Sequence, residues 1–137
     1  MKHSTYKILL LLLFAGLMGS SCLKEDIDID LTAKDWKVVK IRKSGQLTFT
    51  GTDSTYILRF VSDEDYTLSL DVNNCFGTYD IPQKGNLAFQ GAACTEICCD
   101  SEFAQDLSLL LSEMSSYYAK RDELHFEGDG KIVLKSY

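Results

Sequence analysis

Five cysteines carry most of the chemistry open to this 137-residue chain. Four of them, Cys75, Cys94, Cys98 and Cys99, fall close together in the second half. In an exported protein, thiols so grouped pair as disulfides by default. Four cysteines allow three connectivities. A direct bond between the neighbours Cys98 and Cys99 would strain the peptide between them, which favours the other two. A four-thiolate zinc site is the competing chemistry, but the two Cys-x-x-Cys knuckles of structural zinc sites are missing. No metal and no cofactor is expected.

The fifth cysteine, Cys22, has a different setting. Lys2 and Lys7 make a positive start, and Ile8 to Met18 is an apolar run of about eleven residues. That suits a signal-peptide core and falls short of the roughly twenty residues a membrane-spanning helix needs. Gly19-Ser20-Ser21 supplies small residues before the cysteine. The segment resembles the lipobox of bacterial lipoproteins, with Gly19 where leucine is usual and Leu17 two places further back. Residues 1–21 therefore read as a signal peptide and Cys22 as the lipidated first residue of the mature chain. Each buried methylene adds about 0.8 kcal/mol of membrane affinity, so two or three acyl chains, palmitate among them, make a lasting anchor. Residues 22–30 form an acidic tether. Its Leu23-Lys24-Glu25-Asp26 resembles the lysine-and-acid signal that carries some lipoproteins to the cell surface. The expected location is the outer membrane, by lipid anchor, with surface display as a further expectation.

Removing residues 1–21 leaves 116 residues, with 12 basic and 20 acidic side chains and a net charge of about −8. That balance argues against nucleic acid as a partner, and against adhesion to an anionic membrane by charge. Catalysis finds little support. His125 is the one histidine left after cleavage, and its neighbours Leu124 and Phe126 point inward, so it faces solvent. A serine or cysteine nucleophile needs a positioned base, and no phosphate-cradling loop or nucleophile elbow is present. Asp26, Asp28 and Asp30 mimic the start of a calcium loop, but Leu31 and Lys37 stand where its glycine and glutamate belong. Asp63, Glu64 and Asp65 read as a charged hairpin turn. No enzyme is expected.

The rest of the chain must position these residues as a single domain over 31–137. Tyr56, Leu58 and Phe60 alternate with polar neighbours, as do Tyr66, Leu68, Leu70 and Val72, the period of half-buried strands. Tyr79 and Ile81 continue inward, and Gln83-Lys84-Gly85-Asn86 turns the chain into Leu87 and Phe89. Leu124 and Phe126, then Ile132 and Leu134, flank the turn Gly128-Asp129-Gly130. Trp36, Val39 and Ile41 form a first strand whose broken alternation calls for a bulge. Phe103, Leu107, Leu110, Leu111, Met114, Tyr117 and Tyr118 recur at the spacing of one helical face, with Asp100 or Ser101 as cap.

This order of elements resembles the META domain family of small bacterial envelope lipoproteins, some of them heat-inducible. The residues that carry the resemblance are Leu31, Trp36, the strand Tyr56 to Phe60, the segment Asn73-Asn74-Cys75-Phe76-Gly77-Thr78-Tyr79, Thr95 to Cys99, Leu124 and Gly130. Val72 stands where the family often has a cysteine. The resemblance implies a mainly β (α+β) domain, a strongly bent antiparallel sheet or small barrel with one helix packed near the C-terminal half. It implies no enzymatic activity, and loose links to envelope stress. It also implies pairing of Cys75 with Cys99, where the family's segment ends, and so of Cys94 with Cys98. A loop of about 24 residues closed in this way gains on the order of 3 kcal/mol.

Two function classes follow. In one, the domain is a non-enzymatic envelope module that contacts another envelope protein or the cell wall, with the lipid fixing it in place. In the other, the sheet is a lipocalin-like cup for a small apolar ligand, lined by Trp36, Phe60, Tyr66 and Tyr79. A ligand cup needs a few hundred cubic ångströms of connected apolar space.

Overall fold

A computed structural model describes residues 29–137. The expected signal peptide 1–21, the expected lipidation residue Cys22 and the expected tether up to residue 28 lie outside the described residues.

Alternating apolar positions build nine strands: β1 (Trp36–Lys43), β2 (Thr50–Gly51), β3 (Ile57–Phe60), β4 (Asp65–Ser69), β5 (Asn74–Asp80), β6 (Ala88–Cys94), β7 (Met114–Lys120), β8 (Glu123–Gly128) and β9 (Gly130–Ser136). Among the described residues the strand pairings are antiparallel, in the spatial order β6-β5-β4-β3-β1-β9-β8-β7, with β2 attached to β1. First and last strands are thereby joined, because β1 pairs with β9 along nearly its whole length. The sheet curls into a half-barrel. Its two ends meet just ahead of β6, where Leu87 N–H donates to the Ser115 carbonyl and Tyr117 N–H to the Gly85 carbonyl.

The broken alternation of the first strand has the expected cause. The register of β1 against β9 shifts between Val38 and Lys40, so Trp36, Val38 and Ile41 reach the core, and Val39, grouped with Trp36 and Ile41 by the sequence, is the extra residue of the bulge and only half-buried. At the predicted turns, Ser62 Oγ accepts from the N–H groups of Glu64 and Asp65, and Gly85 adopts a φ of 86° before Leu87. Strand β4 is shorter than its alternation suggested. Leu70 and Val72 lie beyond its end, and Val72 is exposed.

The helix needs a larger correction. α1 covers Glu102–Leu111, capped by Ser101, whose Oγ accepts from Ala104 N–H. Ala104, Leu107, Leu110 and Leu111 are its buried face. Met114, Tyr117 and Tyr118, assigned to the same helical stripe by spacing, belong instead to β7, where Tyr117 faces Phe126 and Tyr118 faces His125. Pairing with β8 overrides the local periodicity there, and β-propensity favours tyrosine in a strand.

The concave side is filled by aromatic rings. Phe89 meets Tyr66, Phe60, Tyr79 and Phe126 with centroids 5.0 to 6.5 Å apart, and Phe60 meets Tyr79 edge-on at 4.7 Å. Trp36 is buried with them and donates its indole N–H to the Leu31 carbonyl at 3.0 Å. The four aromatics proposed to line a cup are thus core residues.

Candidate interaction surface beside the β5–β6 edge

The segment around Asn73 organises the side of the sheet where the cysteines lie. Asn73 is the buried polar residue of the described core. It sits in the β4–β5 connection and grips the β6–α1 connection with every side-chain atom it can use. Its Nδ2 donates to the Ile97 carbonyl at 2.7 Å and to Asp100 Oδ2 at 2.6 Å. Its Oδ1 accepts from Ile97 N–H and from Thr95 Oγ, both at 2.8 Å. Asp100 returns the contact, its Oδ1 accepting from Val72 N–H at 3.0 Å. Burial acts to raise the Asp100 pKa, but the donors from Val72 and Asn73 outweigh it and hold the carboxyl below its ordinary value.

A second polar link lies next to it. Ser101 donates through its hydroxyl and its N–H to Asp71 Oδ2, at 2.6 and 2.9 Å. Tyr56 Oη donates to Asp71 Oδ1 at 2.8 Å. The Ser101 bonds, then that of Tyr56, hold the Asp71 carboxyl low. This Tyr-Asp-Ser group has the elements of a relay but spends them on capping α1. The Ser101 hydroxyl proton is committed to Asp71, and its oxygen accepts Ala104 N–H.

The cysteines fix the same region, with a connectivity different from the expected one. Cys75 pairs with Cys94, and Cys98 with Cys99. The expected Cys75–Cys99 and Cys94–Cys98 bridges are therefore corrected. The physical reason is register: β5 and β6 place Cys75 directly opposite Cys94, close enough for a bridge without any loop movement. That leaves the neighbours to bond each other. The strain expected of such a bond is taken up in the backbone, where Cys99 has a φ of 94°, in the left-handed region that non-glycine residues rarely enter. All four thiols are spent in disulfides. Among the described residues, no three His, Cys, Asp or Glu side chains gather as a metal site.

What this scaffolding presents outward is apolar. Val72 is 44% exposed, Phe76 45% and Ile97 59%, on three stretches bonded to one another through Asn73 and the Cys75–Cys94 bridge. Gln90 to Cys99 is exposed throughout. β6 pairs only with β5 and ends the strand order, and beyond its start, where the chain meets β7, the exposed Gln90–Cys94 stretch is a sheet edge. A register shift opposite Gly77, with Gly91 at a φ of 63°, bends that edge and limits how a foreign strand could extend it.

The chain matches the family model of the META domain over residues 29–136. This chain belongs to the META domain family. In this META domain the asparagine-glycine-tyrosine segment has a structural role. Asn73 ties two connections together, Gly77 lets Tyr66 pass beneath it, and Tyr79 donates its hydroxyl to the Ser62 carbonyl at 2.7 Å. A solution NMR structure of a protein from Burkholderia xenovorans is similar in fold, with a TM-score of 0.62. The match covers 78% of this chain and 83% of that one at 13% identity, so the likeness concerns the fold alone. No curated protein sequence matches the chain.

The remaining sequence candidates lie elsewhere. His125 is on the outer face of β8, stacked on Tyr118 at 4.8 Å and 3.0 Å from Glu123 Oε2. Burial pushes its pKa down, with Glu123 pulling the other way. Among the described residues its side-chain hydrogen bond is to Glu123 and its ring contact is with Tyr118. Asp63, Glu64 and Asp65 form the β3–β4 turn. An open depression of about 320 Å³ lies between β1 and α1, and Lys43 and Asp106, ion-paired at 2.6 Å, both line it. Its charged lining is unlike that of an apolar ligand cup. Sequence reasoning missed Asp71 and Asp100 as partners of the Asn73 segment. Short-range signals carry no trace of bonds that cross 27 or 30 residues.

Proposed function

We propose that this META domain is a lipid-anchored, non-enzymatic module of the bacterial outer membrane that acts by contacting another envelope protein. The observation that carries the reading is the exposure of Val72, Phe76 and Ile97 on segments tied together by the Asn73 bonds and the Cys75–Cys94 bridge. Apolar side chains left outside a core are commonplace singly. Here they stand on connections fixed by a buried asparagine and a cross-strand disulfide, a pre-organised surface that loses little entropy on binding. The aromatic filling of the sheet's concave side favours surface contact over a lipocalin-like cup. Link to envelope stress and display on the cell surface remain parts of the same proposal, carried by the family resemblance and by the Lys24-Glu25-Asp26 sequence.

The anchor is tested at Cys22. The Cys22→Ser variant is expected to leave the washed membrane fraction, which should retain the parent protein through high-salt extraction. Variant and parent remaining together in that fraction would remove the lipid anchor from the account.

A further inference from the structure

The acidic balance of the chain conceals a strong segregation of charge. The β1–β9 register sets Lys37 opposite Lys135 and Arg42 opposite Lys131, with Lys40 between them opposite Val133. These five cations share the convex face of the sheet, since their neighbours Trp36, Val38, Ile41, Ile132 and Leu134 are buried in the core. Next to them β8 contributes Glu123, His125 and Glu127. Glu127 pairs with Lys131, and Glu123 lies 3.9 Å from Lys135. Lys37, Lys40 and Arg42 have no carboxylate within ion-pair distance among the described residues.

An apolar wedge stands at one end of this basic stripe. Phe49 lies under two cations of β1, 5.0 Å from Lys40 Nζ and 5.2 Å from the Arg42 guanidinium. Two residues earlier, Leu47 projects from the β1–β2 connection at 94% exposure. Unpaired cations around an exposed leucine and a phenylalanine match a surface that is anionic outside and apolar just beneath. The acidic remainder of the domain opposes such contact weakly. At physiological salt, charges further than about 8 Å from the surface are largely screened.

We propose that the convex face of β1 and β9, with Leu47 and Phe49 at its end, docks onto an anionic phospholipid bilayer. The inference rests on the lipid-anchored reading for its proximity to the membrane. Only six residues lie between Cys22 and Ile29, and the seven steps reach roughly 24 Å when extended. Docking would hold the domain on its side and turn β5 and β6, three and four strands away from β1, toward other partners.

The test uses the purified full-length lipoprotein on vesicles of phosphatidylcholine alone or with phosphatidylglycerol, in low and high salt. Flotation in high salt on both vesicles reads the anchor. Amine labelling, resolved by residue in a mass spectrometer, reads the face. On the anionic vesicles in low salt, Lys37 and Lys40 should label about fivefold more slowly than on neutral ones, the effect of one basic residue near such a surface. Salt should abolish the difference, and so should the Lys40→Glu/Arg42→Glu variant for Lys37. Equal labelling of Lys37 and Lys40 on both vesicles, with flotation intact, would overturn the docking face and leave the anchor standing. Slow labelling in the presence of soluble heparin but not of vesicles would overturn it in favour of an anionic polymer. Loss of high-salt flotation with slow labelling preserved on anionic vesicles would reject the anchor alone.

Discussion

Asn73→Ala should cost about 3 kcal/mol of stability, more than any substitution at the exposed apolar residues. The estimate follows from what the amide leaves behind. Its removal strips a donor from the Asp100 carboxylate and from the Ile97 carbonyl, and an acceptor from Ile97 N–H and Thr95 Oγ. Each group left unsatisfied in a part-buried place costs about 1–3 kcal/mol, and water recovers a share of it. The consequence for the surface is larger than for the core. Without the amide, the connection Thr95 to Asp100 keeps the two bonds between Thr95 and the Asn74 backbone and those at Asp100, and Ile97 loses both of its partners on Asn73. Denaturant unfolding should show the lowered midpoint, and limited proteolysis should cut between Cys94 and Ser101 in the variant but not in the parent. An unchanged midpoint and cleavage pattern would mean that Asn73 does not hold this surface.

Gly77→Ala is the second large effect. A β-carbon at Gly77 would stand 2.6 Å from the Gln90 carbonyl oxygen and 2.9 Å from both Cε1 and Oη of Tyr66. Neither neighbour yields easily. Tyr66 is buried against Phe89, and Gln90 belongs to the backbone of β6, which the Cys75–Cys94 bridge fastens to β5. Overpacking of this kind costs about 1–3 kcal/mol, and a clash with backbone belongs at the upper end. Gly51→Ala is the matched control, since its nearest neighbour would be the Val39 carbonyl oxygen at 3.9 Å. Thermal melts should place the first well below the parent and the second beside it. Similar melting of the two variants would remove the close-approach explanation for glycine at 77.

Much of the architecture was legible where one physical signal acted alone. The alternation of Tyr66 and Leu68, the turns at Ser62–Asp65 and Gly128–Gly130, and the bulge demanded by Trp36 to Ile41 all appear as read. The reading failed where two signals competed. Met114, Tyr117 and Tyr118 continue the helical spacing of Phe103 to Leu111, yet the helix stops at Ser112. Glu113 N–H bonds back to the Leu110 carbonyl, and the chain leaves to pair with β8. The turn glycine Gly128 explains how the strands come so close, since a β-carbon there would lie 2.0 Å from the Glu113 carbonyl oxygen.

The site was less legible because it is built from register. Nothing local to Cys75 or Cys94 announces that β5 and β6 set them opposite each other. The resemblance pointed to Cys99 instead. The basic stripe is a further case, since Lys37 and Lys135 lie at opposite ends of the domain in sequence and meet only through β1–β9 pairing. Total charge, which counts both faces together, hid it. Asn73 stood out in the sequence as part of the family segment, but its role became plain only from the four bonds that its amide makes across to the far connection.

The contact surface itself is best tested by site-specific photocrosslinking in intact cells of the native host. A photoreactive residue is placed at Phe76, at Ile97 and, as reference, at Leu109, which is 68% exposed on α1. The account predicts the same discrete adduct from positions 76 and 97 and none from 109. Equal adducts from all three, or none from 76 and 97, would contradict a contact module working through this side of the sheet.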